Sequence, residues 1–237
     1  REHDAAFRKA VRLARKLEVE VVTTFSGCPG GAAGDTQPNW VTCAWPPEFP
    51  EILDYQWNQV AIPYWRHAAI LAKENGIRNI ALEMHPGFLV YNPETLLRLR
   101  EAAGPEIGAN FDPSHLFWQG IDPCAAVRAL AGAIWHVHAK DLGMQEWNAR
   151  VHGVLDTKPS RVPRQRSWIF RTVGYGHSRR FWCDFITALR LAGYDGALSI
   201  EHEDKLMNAR EGLEKGIRFL QNIILSSPVE PGPPAAP

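Results

Sequence analysis

Four side chains that can bind a cation recur along the chain at regular intervals, each at the end of a short apolar segment. They are Glu83, Asp112, His138 and Glu201. The intervals are 29, 26 and 63 residues, and a (β/α)8 barrel of roughly 250 residues uses about 30 residues for each strand–helix unit. The spacing therefore predicts that each side chain stands at the carboxyl end of a strand, which is the face where such barrels build their sites.

A single acidic residue after a strand is more often a turn residue or a helix cap than a ligand. Four candidates that each coincide with a predicted strand end favour a shared site, because a chance coincidence would be needed independently at each of the four strands. Three carboxylates and one imidazole are suitable ligands for a divalent cation. We therefore interpret Glu83, Asp112, His138 and Glu201 as a site for one metal ion.

The periodicity of apolar residues predicts strands that alternate with helices. Strands are predicted at 19–25, 78–84, 107–112, 134–140, 168–173 and 197–203, and helices at 4–17, 51–75, 93–103, 122–131, 181–192 and 208–225. These six strands predict an α/β fold, a (β/α)8 TIM barrel that lacks its first two strands in this chain, with residues 1–225 as a single domain. Residues 226–237, rich in Pro and Ala, are predicted to be a disordered tail.

Composition excludes several classes of protein. A formal net charge of zero argues against a polyanion as the main partner, so we expect no nucleic-acid binding. No apolar run reaches the length of a membrane span and no signal peptide is recognisable, so we expect no membrane partner and a cytoplasmic location. With 237 residues and 45% hydrophobic content, the chain can bury one substantial core.

The four candidate ligands lie within longer motifs. These motifs are Asp112-x-x-His115, His136-Val-His138-x-Lys140-Asp141 and Ser199-Ile-Glu201-His-Glu-Asp204, in addition to Glu83. Together they resemble the xylose isomerase-like barrel superfamily, in particular its sugar phosphate isomerase/epimerase branch.

The resemblance implies a fold, a cofactor and a set of roles. It implies that the four ligands bind Mn²⁺, Mg²⁺ or Co²⁺, that Glu83 and Glu201 also transfer protons, and that His115 holds a substrate oxygen. A cation that chelates a carbonyl and its neighbouring hydroxyl stabilises an enediolate, and a carboxylate on each side of the sugar can then remove and return a proton. The implied function is an isomerase or epimerase of a keto-sugar.

Other functions stay open at this point. A dehydratase or lyase acting on a keto-sugar or an inosose would use the same metal and the same first proton abstraction. An endonuclease of the apurinic-site type shares the barrel, but it would need further histidines and an Asp-x-His pair that is absent between His138 and Glu201. A barrel remnant that is not catalytic is the third alternative.

Three further residues are candidates for binding the substrate. His85 lies two residues after Glu83 and should face the same side of the strand; the alternative is a loop histidine satisfied by the backbone. Lys140 stands at a strand end, where it either orients its neighbours or forms a surface pair with Asp141. Trp45, in the Gly- and Pro-rich segment 26–50 together with Trp40 and Phe49, either stacks on a sugar ring with them or packs within its own loop.

Two expectations concern partners. Residues 158–180 contain seven Lys and Arg and no acidic residue, which is suitable for receiving a substrate phosphate. A solvated or partner-facing loop is the alternative, because no Gly-rich phosphate cradle accompanies the run. Unpaired strands at the two edges of an incomplete barrel favour association, so we expect a homo-oligomer.

Overall fold

The computed structural model describes residues 2–227 and consists of a curled parallel sheet with helices packed against it. The strands are β1 (Val21–Phe25), β2 (Asn79–Glu83), β3 (Ile107–Phe111), β4 (Ile134–Ala139), β5 (Asp141–Met144), β6 (Trp168–Arg171) and β7 (Leu198–Ile200). Five of them form one parallel sheet in the order β1-β2-β3-β4-β7. This is part of a TIM barrel, which confirms the predicted fold class.

The helices connect successive strands. They are α1 (Glu2–Lys16), α2 (Glu48–Asp54), α3 (Ile62–Glu74), α4 (Pro93–Ala103), α5 (Ser114–Phe117), α6 (Pro123–Ala129), α7 (Glu146–His152), α8 (Arg179–Leu191) and α9 (Ala209–Gln221). A π-helical stretch, Tyr55–Ala61, joins α2 to α3. Pro63 lies in the first turn of α3, directly after this irregular stretch, so the helix predicted as one piece at 51–75 is interrupted before the proline.

The core lies between the sheet and the helices. Ile80 and Leu82 of β2 and Phe111 of β3 are buried and belong to one apolar cluster with Phe185 of α8. All five residues of β3 are buried, as expected for a central strand of a parallel sheet that is covered on both faces. Because β3 is held on both faces, the position of Asp112, which directly follows it, is also held.

One predicted strand has a different partner from the one expected. The segment predicted at 168–173 forms β6, which pairs antiparallel with β5 in a separate two-stranded sheet. The parallel sheet therefore has five strands and not six, so an eight-stranded barrel would need three more strands and not two. Apolar and β-branched residues indicate an extended segment, but they do not specify which strand it will pair with.

The two ends of the parallel sheet are β1 and β7, the strands for which free edges were expected. The homo-oligomer inferred from those edges stays a prediction. No helix within residues 2–227 combines the length and apolar character needed to cross a membrane. Most of the predicted tail, from residue 228 onward, lies outside the described residues.

Candidate metal centre

The structure brings the four predicted ligands together at one edge of the parallel sheet. Glu83 is the last residue of β2, His138 is the penultimate residue of β4, and Asp112 and Glu201 directly follow β3 and β7. Each offers a ligand atom, and these atoms all lie within 4.8 Å of one another. The convergence follows from the parallel topology, because the carboxyl ends of parallel strands share one edge of the sheet.

His138 contacts two of the three acidic ligands. Its Nδ1 lies 3.0 Å from Oε2 of Glu201 and 3.4 Å from Oε2 of Glu83. Asn110 donates from Nδ2 to Oε2 of Glu83 at 3.1 Å and lies 3.3 Å from Nε2 of His138. Sequence analysis did not identify Asn110, although a polar residue within an otherwise apolar strand was a usable signal.

A local turn positions Asp112. Its Oδ1 accepts a hydrogen bond from the backbone N–H of Ser114 at 2.8 Å, which fixes the carboxylate as the chain turns from β3 into α5. The other oxygen, Oδ2, is buried and has no hydrogen-bond partner among the described residues. Burial raises the pKa of Asp112 above its ordinary value, and the nearby His115 and Lys140 offset this effect only in part.

Several other buried polar atoms of this centre are also unsatisfied. In the described part of the chain, His138 Nδ1, Glu201 Oε2 and Asp112 Oδ2 are buried without a hydrogen bond of acceptable geometry. Buried polar atoms are normally paired, so a cluster of exceptions requires an explanation. Carboxylate oxygens and imidazole nitrogens are ligands of divalent cations, and one ion would satisfy all three atoms. The residues fit a metal ion.

The pKa values show how charge is balanced when His138 binds a proton. Burial opposes the charged imidazole, but contacts with Glu201 and Glu83 outweigh it and raise the pKa of His138 to about 10. The contact with His138 lowers the pKa of Glu201 to about 2. Burial opposes ionisation of Glu83, but its contacts with His115 and His138 prevail and lower its pKa. The proton supplies the positive charge that a cation would otherwise supply.

Lys140 is a buried member of this centre. Its Nζ lies 2.8 Å from Oε1 of Glu203, 3.3 Å from Oε1 of Glu201 and 3.8 Å from Oδ2 of Asp112. Burial opposes its charge, but these carboxylates raise the pKa of Lys140. The alternative of a surface pair with Asp141 is wrong, because both side chains are buried and Lys140 contacts other acids.

Asp141 has a structural role. Its Oδ2 accepts hydrogen bonds from the backbone N–H groups of Gly174, Gly176 and His177, all at 3.0 Å. Its Oδ1 accepts from the N–H of Leu142 at 2.8 Å and lies 2.7 Å from Nδ1 of His177. The carboxylate therefore fixes the loop that leads into α8, away from the four ligands.

His115 and His85 lie beside the four-ligand centre. His115 Nε2 is 3.1 Å from Oε1 of Glu83 and 3.4 Å from Oδ2 of Asp112. The ring of His85 packs 4.0 Å from the ring of His115, centroid to centroid. His85 Nδ1 lies 2.6 Å from the carbonyl oxygen of Pro86. One of its two ring nitrogens therefore makes the backbone contact that the alternative interpretation, a loop histidine, predicts. Burial lowers the pKa of His85 to about 4, so it is neutral near pH 7.

A cavity of about 320 Å³ opens next to these histidines. Its aromatic lining comprises Trp40, His85, His115, Trp118, Trp168 and Phe170. The predicted segment 26–50 therefore does contribute a tryptophan, but that residue is Trp40. The structure does not place Trp45 in this lining, and its side chain is 77% exposed; a role for Trp45 in binding substrate stays a prediction.

Comparison with known proteins identifies the family. A family model described as xylose isomerase-like TIM barrel matches residues 1–223. The chain belongs to the xylose isomerase-like TIM-barrel family. Membership confirms the resemblance inferred from the motifs around the four ligands.

Two curated relatives of this family are similar in sequence. YfiH of Bacillus subtilis, an uncharacterized protein, is 43% identical over 218 residues, which cover 91% of this chain and 70% of YfiH. An inosose dehydratase of Geobacillus thermodenitrificans is 30% identical over 137 residues, which cover 56% of this chain and 43% of the dehydratase. The alignment thus spans less than half the length of the named enzyme.

Several solved structures share the fold of this chain. The probable 3-DHS dehydratase AsbF of Bacillus anthracis superposes with a TM-score of 0.65 at 19% identity, covering 93% of this chain and 70% of AsbF. A xylose isomerase-like TIM barrel protein from Mycobacterium smegmatis in complex with magnesium superposes with a TM-score of 0.59 at 18% identity, covering 92% of this chain and 66% of that protein. An L-ribulose 3-epimerase superposes with a TM-score of 0.53 at 18% identity, covering 96% of this chain and 71% of the epimerase. At these identities the similarity establishes the fold alone.

Proposed function

We propose that this protein is a metal-dependent isomerase or epimerase that moves a proton in a keto-sugar through an enediolate. The observation that carries the proposal is the convergence of Glu83, Asp112, His138 and Glu201 within 4.8 Å, with buried ligand atoms that have no other partner. Family members with named activities act on carbohydrate-like substrates, as isomerases, epimerases and dehydratases. An enzyme of this kind fits both the ligand set and the fold.

A divalent ion held by these four residues would polarise the carbonyl and stabilise the negative charge of the enediolate. Charge balance supports a dication. The three ligand carboxylates and Glu203 carry four negative charges, and the buried Lys140 beside them supplies one positive charge. A dication with a neutral His138 reduces the net charge of the centre from −3 to −1, which a partly buried site favours.

We propose that Glu83 and Glu201 act on opposite sides of a bound sugar. Glu83 ends β2 and Glu201 directly follows β7, and β3 and β4 separate these two strands in the sheet. The side chain of Glu201 is 35% exposed whereas that of Glu83 is 8% exposed. We assign the first proton abstraction to Glu201, because it is the more accessible to substrate, and the return of a proton to Glu83. His115, in contact with Glu83, is placed to hold a substrate oxygen.

A dehydratase acting on an inosose or a related keto-sugar is the second candidate. The observation in its favour is the 30% identity with an inosose dehydratase. This reaction begins with the same proton abstraction next to a carbonyl, and it differs because a hydroxyl group then leaves. Both candidates therefore require Glu201 as a base.

Solvent deuterium exchange tests the proposal. The protein loaded with Mn²⁺, Mg²⁺ or Co²⁺ is incubated with a panel of keto-sugars and inososes in D2O, and the products are analysed by mass spectrometry and by NMR after removal of the metal. Deuterium in a stereoisomer or an aldose–ketose isomer of the substrate supports the isomerase or epimerase, and loss of water supports the dehydratase. No exchange with any substrate would overturn both. The same assay on Glu201→Gln tests Glu201 as the base, and exchange should be lost. Glu211→Gln, on the exposed surface of α9, is the matched control and should retain exchange.

A further inference from the structure

A continuous aromatic wall extends away from the metal centre. The ring of His115 packs edge-on against Phe170 at 5.5 Å, and Phe170 packs against Trp168 at 5.3 Å. Trp168 in turn stacks on Trp118, with ring centroids 5.0 Å apart and 9° between the planes. These side chains line the cavity of about 320 Å³. The wall therefore begins at a residue that contacts Glu83 and ends well outside the four-ligand centre.

The cavity is additional to the place where the metal ligands meet. Its lining includes His85 and His115 but not Asp112, His138 or Glu201. Its volume is at the lower end of the range for small-molecule pockets, about 300–1,000 Å³. A ligand whose carbonyl lay at the four ligands would thus leave the cavity free for a further part of the molecule.

Two tryptophans of this cavity have unused hydrogen-bond donors. The indole Nε1 atoms of Trp40 and Trp118 are buried and have no partner within residues 2–227, whereas Nε1 of Trp168 donates to the carbonyl of Val154 at 2.9 Å. A buried indole N–H normally finds an acceptor. Hydroxyl or ether oxygens of a ligand would provide one.

Cations are absent from this lining in the described part of the chain. Members of the basic run at 158–180, predicted as a possible phosphate site, already contact carboxylates and an aromatic ring, including Asp156 and Trp168 of the cavity's own lining. Lys158 pairs with Asp156 at 2.9 Å and Arg171 pairs with Asp204 at 3.1 Å. Arg166 stacks over Trp168 at 4.4 Å. The lining therefore offers a phosphate no Lys or Arg of its own and one carboxylate, Asp156, which disfavours a phosphate in the cavity.

We propose that this cavity binds an uncharged second ring of the substrate, so that the substrate is an unphosphorylated glycoside whose other sugar carries the reacting ketone. This inference rests on the proposed function for the position of the reacting carbons. The face of Trp118 that is turned away from Trp168 binds the ring by stacking, and the indole donors of Trp40 and Trp118 bind its oxygens. The residues of the wall determine specificity and take no part in proton transfer.

Isothermal titration calorimetry of the metal-loaded protein tests the inference with defined probes. These are methyl β-glucoside, phenyl β-glucoside, a glucose disaccharide, glucose and glucose 6-phosphate. We expect the two probes with a second ring to bind about tenfold more tightly than methyl β-glucoside, the scale of one good aromatic contact. The comparison of the phenyl group with the second sugar shows which type of ring the cavity prefers. We expect glucose 6-phosphate to bind no better than glucose.

Variants locate the effect. Trp118→Ala should abolish the preference for a second ring without changing the metal stoichiometry, and Trp118→Phe should retain most of it. Trp147→Ala is the matched control, because Trp147 is 80% exposed on α7 and does not line the cavity. Trp40→Ala serves if Trp118→Ala does not fold.

The inference is overturned if glucose 6-phosphate binds more tightly than glucose, or if the preference for a second ring is absent or survives both alanine substitutions. Its failure is distinguishable from that of the proposed function. Deuterium exchange into free keto-sugars without a ring preference would refute the cavity assignment alone. Tight binding of the second ring by a protein that exchanges no deuterium would refute the proton-transfer assignment alone.

Discussion

Replacement of Asp112 with Asn should have opposite effects on the metal-free and metal-loaded protein. In the metal-free protein the Asp112 carboxylate is fully buried, and burial raises its pKa, so near pH 7 its ionised form opposes folding. Asn keeps the oxygen that accepts from the N–H of Ser114 and removes the charge, while the buried Lys140 keeps its closer contacts with Glu203 and Glu201. We therefore expect Asp112→Asn to raise the Tm of the metal-free protein.

The metal-loaded protein should show the reverse ranking. A ligand that binds only the folded state at 100 times its Kd stabilises it by about 2.7 kcal/mol. In a chain of this size 1 kcal/mol corresponds to about 2–4 °C in Tm. The wild type should therefore gain about 5–11 °C on saturation with the preferred metal. Asp112→Asn should gain little, because a neutral amide replaces a charged ligand.

Differential scanning fluorimetry with and without metal measures both effects, with metal content determined separately. Asp122→Asn is a control of the same chemistry at a distant position, since Asp122 caps α6 by accepting from the N–H groups of Cys124 and Ala125 at 2.7 and 3.0 Å. It should retain the full metal-induced rise. An equal metal-induced rise in Asp112→Asn and wild type would refute the ligand assignment, and a lower metal-free Tm would refute the charge argument.

Three further predictions concern individual side chains. Glu201→Gln keeps an oxygen ligand but removes a base, so it should reduce deuterium exchange about a hundredfold or more while retaining much of the metal; wild-type exchange would exclude Glu201 as a base. His138 has a pKa of about 10 without metal. The stabilisation from its proton is therefore complete below its ordinary pKa of about 6.5 and is lost as the pH rises toward 10. Metal binding near pH 7 must displace this proton, so calorimetry in buffers of different ionisation enthalpy should detect its release, and affinity should increase with pH. Asp141→Asn weakens the anchoring of the loop at Gly174–His177 and should lower the free energy of unfolding in urea by about 2–4 kcal/mol without changing metal content; a loss below about 1 kcal/mol would contradict this role.

The sequence by itself determined that the four ligands lie at the carboxyl ends of strands. Whether a residue ends a strand depends on its immediate neighbours, and the apolar segments before Glu83 and Asp112 are visible in the sequence. Strands joined by helices form parallel sheets, so their carboxyl ends lie at one edge. The meeting of Glu83, Asp112, His138 and Glu201 therefore followed from local patterns and one topological rule.

Only the tertiary structure decided which partners surround them. The sequence indicated an extended segment at 168–173, but it could not show that β6 leaves the parallel sheet to pair with β5. It likewise could not select Trp40 over Trp45, or place Lys140 among Glu201, Glu203 and Asp112. These contacts join residues far apart in the chain. They depend on the paths of long loops and on the burial that packing imposes, and neither is encoded by the periodicity of a single segment.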